Sequence, residues 1–242
     1  MISLAVLDIA GTTVQEHGAV YQALADAVGV SEDAVPPWMG ADKHEAVRGL
    51  LVESGRTPTG QLVKEMYADF RRRLDESYVV KPPEPMPGVP EAISWLRANG
   101  VKVALSTGFD RAVTGAILST LDWELDAVVC TEDVPRGRPA PYMIFRAMEA
   151  TGVVDVAEVL VAGDTTRDLE SGTNAGVGMV VGVLTGGQSA ATLGAVRHTH
   201  IVPGVADIPA LLRDQRYVSR SLRSPRSGRD RCRTPGSSRI GR

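Results

Sequence analysis

The sequence predicts an α/β fold: a parallel sheet with helices on both faces, carrying an inserted all-helical cap. Three observations lead there. Apolar runs rich in Val, Ala and Leu recur at 3–8 (SLAVLD), 101–107 (VKVALST), 126–131 (DAVVCT), 158–164 (EVLVAGD) and 177–183 (VGMVVGV), with a short sixth near 199–202 (THIV). They lack polar alternation, which suits strands buried on both faces. Helical patterns separate them at 89–100, ending on a capping Gly100, and at 111–121, 140–152 and 166–176. Strands alternating with helices imply parallel pairing through crossover helices. The third observation is length: roughly 80 residues lie between the first strand and the helix at 89. They read as helical in VYQALADAVGV, DKHEAVRGLLVESG and TGQLVKEMYADFRRRLDESYV. The expected organisation is a core of residues 1–15 and 83–212, a helical cap of 16–82, and a basic tail of 213–242. The Pro-rich stretch 80–90 (VKPPEPMPGVP) and the segment Val14 to Gly18 are the expected hinges. No internal repeat is visible.

Bulk composition narrows the partners. The chain has 242 residues, 43% of them apolar, enough for a sizeable core. Few aromatics argue against a stacking surface for nucleic acid. Cys130 and Cys232 lie far apart, in no metal-type spacing and no disulfide framework, so a reducing, cytoplasmic setting is expected. The N-terminus lacks a basic start and meets Asp8 too early for a signal peptide. No window approaches the roughly 18 uninterrupted apolar residues of a membrane span. The net charge of −3 hides an asymmetry: residues 213–242 hold ten arginines against two aspartates, while the rest of the chain is acidic. That tail has too few apolar residues to pack, and no nucleic-acid partner is expected from it.

Chemistry in a parallel sheet gathers at the carboxyl ends of its strands, where Asp8, Ser106, Thr107 and Asp164 fall. Asp8 is followed by Gly11, Thr12 and Thr13, a turn whose amides can approach an anion. A carboxylate there can attack phosphorus, or it can merely cap the next helix. Asp164 ends another strand and Asp168 lies four residues on. Acids converging at neighbouring strand ends repel unless a cation sits between them, and hard oxygen donors suit Mg²⁺. Ser106, Thr107 and flexible Gly108 form a phosphate-binding turn. Arg138, on a Gly/Pro loop ahead of a helix, suits phosphoryl oxygens. His198 and His200 are expected on an edge strand rather than at a metal. The charged run 70–76 (FRRRLDE) is expected to be a solvated helical face.

Taken in order, D-x-x-G-T-T, a strand-end S-T-G, R-P before a helix and G-D-T-x-x-D resemble the haloacid dehalogenase superfamily over roughly residues 1–212. The resemblance implies a Rossmann-like core with a helical cap inserted after the first motif. It makes Asp8 nucleophile and Mg²⁺ ligand. It places the metal among Asp8, Ala10, Asp164 and Asp168, and phosphate among Ala10, Gly11, Thr12, Ser106, Thr107, Gly108 and Arg138. Phosphatases of this superfamily carry D-x-D, the second Asp protonating the departing alcohol; here that position is Ala10, whose methyl group has no proton to give. D-I-A-G-T-T is similar to the phosphonatase branch, the phosphonoacetaldehyde hydrolases, which also favour arginine at the position of Arg138.

MGADKHEAVR (39–48) resembles that branch's cap stretch, with its lysine four residues after the methionine. That lysine is Lys43, one of only four in the chain. A lysine amine condenses with an aldehyde or ketone to an iminium, an electron sink. The C–P electrons can then flow into an enamine when Asp8 attacks phosphorus, and the acid missing at position 10 becomes unnecessary. The branch usually has a histidine three residues after the lysine; here that residue is Ala46, and His44 adjoins Lys43. The expected function is Mg²⁺-dependent C–P cleavage of a 2-oxoalkyl phosphonate, with Asp8, Lys43 and Arg138 catalytic. The alternatives are a phosphate-monoester phosphatase or a non-catalytic phosphate-binding regulator. Lys43 read alone is a solvated helix lysine beside Asp42. The resemblance also suggests a homodimer through the caps.

Overall fold

The computed structural model describes residues 1–121 and 123–214; the expectation for the tail, and Cys232 with it, falls almost wholly outside those residues. Six strands form one parallel sheet: β1 (Leu4–Asp8), β4 (Lys102–Ser106), β5 (Ala127–Val129), β6 (Val159–Gly163), β7 (Met179–Val183) and β8 (His200–Val202), in the order β5-β4-β1-β6-β7-β8. β1 is central; the chain builds β4 and β5 on one side of it and then crosses to β6, β7 and β8 on the other. That reversal opens a crevice at the carboxyl ends of β1 and β6.

Alternate residues of β1 feed opposite layers. Leu4 and Val6 pack with Met143, Ile144 and Ala147 of α6 (Tyr142–Thr151) and Ala175 of α7 (Thr166–Ala175). Ala5 and Leu7 join Ile93 and Leu96 of α4 (Val89–Ala98) and Val113 and Ile117 of α5 (Arg111–Leu118). All five β1 residues are buried, which is why the run shows no polar alternation. α4 ends at Ala98 with Asn99 as its cap, and Gly100 follows in the left-handed region at φ +77°. A short α8 (Ala190–Gly194) precedes edge strand β8, where His200 sits as expected, while His198 lies ahead of the strand and not in it.

Three helices fill the long first crossover: α1 (Ala19–Val28), α2 (Lys43–Glu53) and α3 (Gly60–Val80). Asp42 caps α2 through the Glu45 amide, and Thr59 caps α3 through that of Leu62, each cap contributing about 1 kcal/mol. On α3, Val63, Tyr67, Phe70 and Leu74 share one buried face. The run 70–76 is therefore not simply solvated: Phe70 is core, and Arg71 lies 3.4 Å from Asp110 at the start of α5, which also accepts from the Tyr67 hydroxyl at 2.5 Å.

The two expected hinge segments lie side by side. Val14–Gln15 (β2) pairs antiparallel with Glu84–Pro85 (β3) in a two-stranded ribbon. Strands of two residues leave no periodicity to read.

Candidate active site

Asp8, at the last position of β1, is level with Ser106 on β4, and Asp164 follows the end of β6 directly. Carboxylate oxygens of Asp8, Asp164 and Asp168 lie within 4.8 Å of one another, and all three residues are buried. Burial and mutual repulsion raise the Asp164 carboxyl well above the usual range; Asp168 is also raised, chiefly by burial. Three buried acids so close, two of them resisting ionisation, form a set that could hold a hard cation.

The acids are held differently. Asp164 accepts from the Thr12 hydroxyl at 2.8 Å, and a Cβ at Gly11 or Gly186 would collide with its carboxylate. Asp168 accepts from the Thr165 amide and hydroxyl and from Arg138, so its oxygens are largely committed within the protein. Thr165 and Asp168 together form the capping box of α7. Arg138, 3% exposed, spans the site. Its Nη1 donates to Asp168, and its Nη2 donates to Asp8 at 2.6 Å and to the Ser106 carbonyl at 3.0 Å. Its Nε is buried and has no hydrogen-bond partner among the described residues.

Ser106 thus meets Arg138 through its carbonyl, and the Thr107 hydroxyl accepts from the Phe109 amide at 3.2 Å. Gly108 is needed for proximity rather than flexibility: a side chain there would strike the Ala41 carbonyl. Gly40, in the left-handed region at φ +77°, likewise sits against Thr165. These two glycines let the loop before α2 lie directly on the core loops after β4 and β6.

That docking delivers Lys43. As the first residue of α2 it is 4% exposed; its Nζ donates to the Ala41 carbonyl at 3.2 Å and lies 5.0 Å from the centre of the Phe109 ring. Burial lowers its pKa from the ordinary lysine value of 10.5 to about 8, against the attraction of Asp8. The reading of Lys43 as a solvated helix lysine fails on this burial. His44 instead stacks on Tyr67, with its side chain half exposed, and Ala46 is fully buried.

Two features carried no sequence signal. A cavity of about 310 Å³ adjoins Ala10, Gly11 and Asp164, lined also by Glu16, Tyr21 and the Thr185–Gly187 loop. Glu16, from an unremarkable polar stretch, is buried in it. Cys130 is a buried free thiol. Among the described residues no helix is long and apolar enough to cross a membrane.

Residues 2–176 match the haloacid dehalogenase-like hydrolase family. The chain belongs to that family of hydrolases. Phosphonoacetaldehyde hydrolase of Bacillus cytotoxicus is 32% identical over 206 residues, covering 76% of each chain, and that of Bordetella pertussis 34% identical over 165 residues, covering 63% of this chain. The chain spans 59% of the length of the Bordetella relative. Among solved structures, a phosphonoacetaldehyde hydrolase-like protein of Oleispira antarctica superposes with a TM-score of 0.80 at 23% identity, covering 90% of this chain and 94% of that one; it shares the fold. Within its family this chain falls in the phosphonatase-like branch.

Proposed function

We propose that this protein is a Mg²⁺-dependent hydrolase that cleaves the C–P bond of a 2-oxoalkyl phosphonate, phosphonoacetaldehyde or a close analogue, through a Schiff base on Lys43 and an aspartyl phosphate on Asp8. One observation carries the reading: the Lys43 amine is buried within electrostatic reach of Asp8, and burial lowers its pKa to about 8, which leaves a nucleophilic fraction of free amine. Ala10 supports it, because an enamine leaving group needs no acid at that position.

The Lys43 nitrogen adds to the substrate carbonyl, and loss of water leaves an iminium. Asp8 then attacks phosphorus; the P–C bond breaks, and its electron pair becomes the C=C bond of the enamine. Protonation at carbon and hydrolysis of the iminium free Lys43 and the carbonyl product, and water cleaves the aspartyl phosphate. Arg138 holds the Asp8 carboxylate in place and offers its unpartnered Nε–H to a phosphoryl oxygen. Magnesium held by Asp8, Asp164 and the backbone at Ala10, with Asp168 behind them, would supply positive charge to offset that of the phosphonate. The chemistry places the nucleophile and the amine on separate elements that close around one small substrate, with the β2–β3 ribbon as hinge. We place the enzyme in the cytoplasm.

The test is borohydride reduction in the presence of phosphonoacetaldehyde, read by mass spectrometry. A reduced adduct on Lys43 is the expected result. No adduct, together with turnover of simple phosphate esters, would sink the Schiff base. The metal is tested apart from activity. Mg²⁺ at about 100 times its Kd stabilises by about 2.7 kcal/mol, raising Tm by on the order of 5 °C or more. Asp164→Asn is expected to raise the metal-free Tm, by relieving carboxylate repulsion, and to abolish the Mg²⁺-induced rise.

A further inference from the structure

Condensing an amine with a carbonyl needs a group that both gives and takes protons. The charged groups that act most strongly on the Lys43 amine are Asp8, Arg138, Asp42 and, more weakly, Glu16. Asp8 is bound to Arg138 and, on the proposed reading, is spent on phosphorus. Arg138 keeps its proton at any working pH. Asp42 caps α2 through the Glu45 amide, and its side chain is a quarter exposed. Ala46, one turn along α2, has no proton to transfer.

Glu16 is different. It lies between β2 and α1, is buried, and lines the same cavity as Ala10, Gly11 and Asp164. Among the described residues it forms no ion pair; its Oε2 accepts from the Val20 amide at 2.8 Å, at the start of α1, and the Gly18 backbone also hydrogen-bonds to the carboxyl. The titratable groups that act on it, or it on them, are Lys43, His17, Tyr21 and Tyr78, and on its other side it lines a second cleft with Asp26, Arg73, Glu76 and Lys81. Burial raises its carboxyl above the usual range, which the Val20 amide and the Lys43 charge only partly oppose. A buried carboxyl whose hold on its proton is strengthened in this way can act as an acid and then as a base.

We propose that Glu16 is the catalytic residue that shuttles protons during formation and hydrolysis of the Lys43 iminium, an inference that rests on the Schiff-base reading above. As the Lys43 nitrogen bonds to carbon, the carbonyl π pair moves to oxygen, which takes the Glu16 proton. The carboxylate recovers a proton from the new ammonium. It then protonates the carbinol oxygen, which leaves as water while the nitrogen lone pair forms C=N. Hydrolysis runs the same transfers backward.

The experiment measures the rate of cyanoborohydride trapping of Lys43 by phosphonoacetaldehyde against pH, in the full chain with Mg²⁺. Glu16→Gln keeps an oxygen to accept from the Val20 amide, so a capping role alone would leave the trapping rate of folded protein unchanged. The expected result is trapping slowed by about 100-fold and loss of the pH dependence contributed by the carboxyl. Glu16→Asp, which keeps the acid one methylene short, is expected to trap at least tenfold faster than Glu16→Gln and to regain that pH dependence. Wild-type rate and profile in Glu16→Gln would overturn the proposal, as would equal defects in both variants. An untrappable wild-type enzyme would overturn the Schiff-base reading and this inference with it, whereas an intact wild-type adduct with an indifferent Glu16→Gln overturns this inference alone.

Discussion

Lys43→Met is expected to abolish C–P cleavage while making the protein more stable at neutral pH. Methionine fills a similar volume and leaves the buried site without a cation to desolvate. The amine has a pKa of about 8 in the folded protein, against 10.5 for an ordinary lysine. Below pH 8 both folded and unfolded chains carry the proton, and the folded state bears the whole penalty. Between 8 and 10.5 the unfolded chain binds more protons, so stability rises with pH; above 10.5 the penalty is gone. The difference corresponds to about 3 kcal/mol. Denaturant midpoints at pH 7 and above pH 10 should therefore show Lys43→Met ahead of wild type at neutral pH and level with it in alkali. Phosphate release from phosphonoacetaldehyde should fall by on the order of 10⁴-fold or more. A variant less stable than wild type at pH 7 would mean that the amine is not desolvated as the geometry requires, and surviving C–P cleavage would remove the iminium from the mechanism.

Asp8→Asn is expected to separate the two halves of the reaction. Asparagine keeps the shape and can still accept from Arg138, but it cannot displace at phosphorus. Phosphate release should fall by a similar order, about 10⁴-fold or more, while the borohydride adduct on Lys43 persists. The trapping profile should also move. Asp8 is the largest influence holding the Lys43 pKa up, so removing its charge lowers that pKa further and raises the free-amine fraction at pH 7. Trapping at neutral pH should accordingly be faster in Asp8→Asn than in wild type. Loss of the adduct in this variant would mean that Asp8 takes part in imine formation itself, and retained phosphate release would leave the site without its nucleophile.

Much of the core was legible because its signals are local. The β1 run is apolar at every position since both faces of the strand are covered, and it stops where Asp8 meets the open end of the sheet. Asp164 and Asp168 could be paired with Asp8 from topology alone, because parallel strands share one carboxyl edge. Arg138 was recognisable as a loop arginine, but its reach to both Asp8 and Asp168 was not. Glu16, Thr12 as partner of Asp164, the β2–β3 ribbon and the ring of Phe109 beside Lys43 left no trace in any pattern: each depends on residues distant in the chain, or on elements too short to show a period.

The sequence by itself determined the parallel sheet, the helical insertion after its first strand, the cluster of acids at one edge and the absence of an acid at position 10, all of which follow from side-chain type and spacing along the backbone. Only the tertiary structure decided that Lys43 is a buried amine rather than a solvated one. That outcome depends on Gly40 and Gly108, whose missing side chains let a loop of the insertion rest on two core loops and shut water away from the nitrogen. Solvation, and with it the chemistry of an ionisable group, is a property of what encloses the group in three dimensions, and no periodicity in the chain records it.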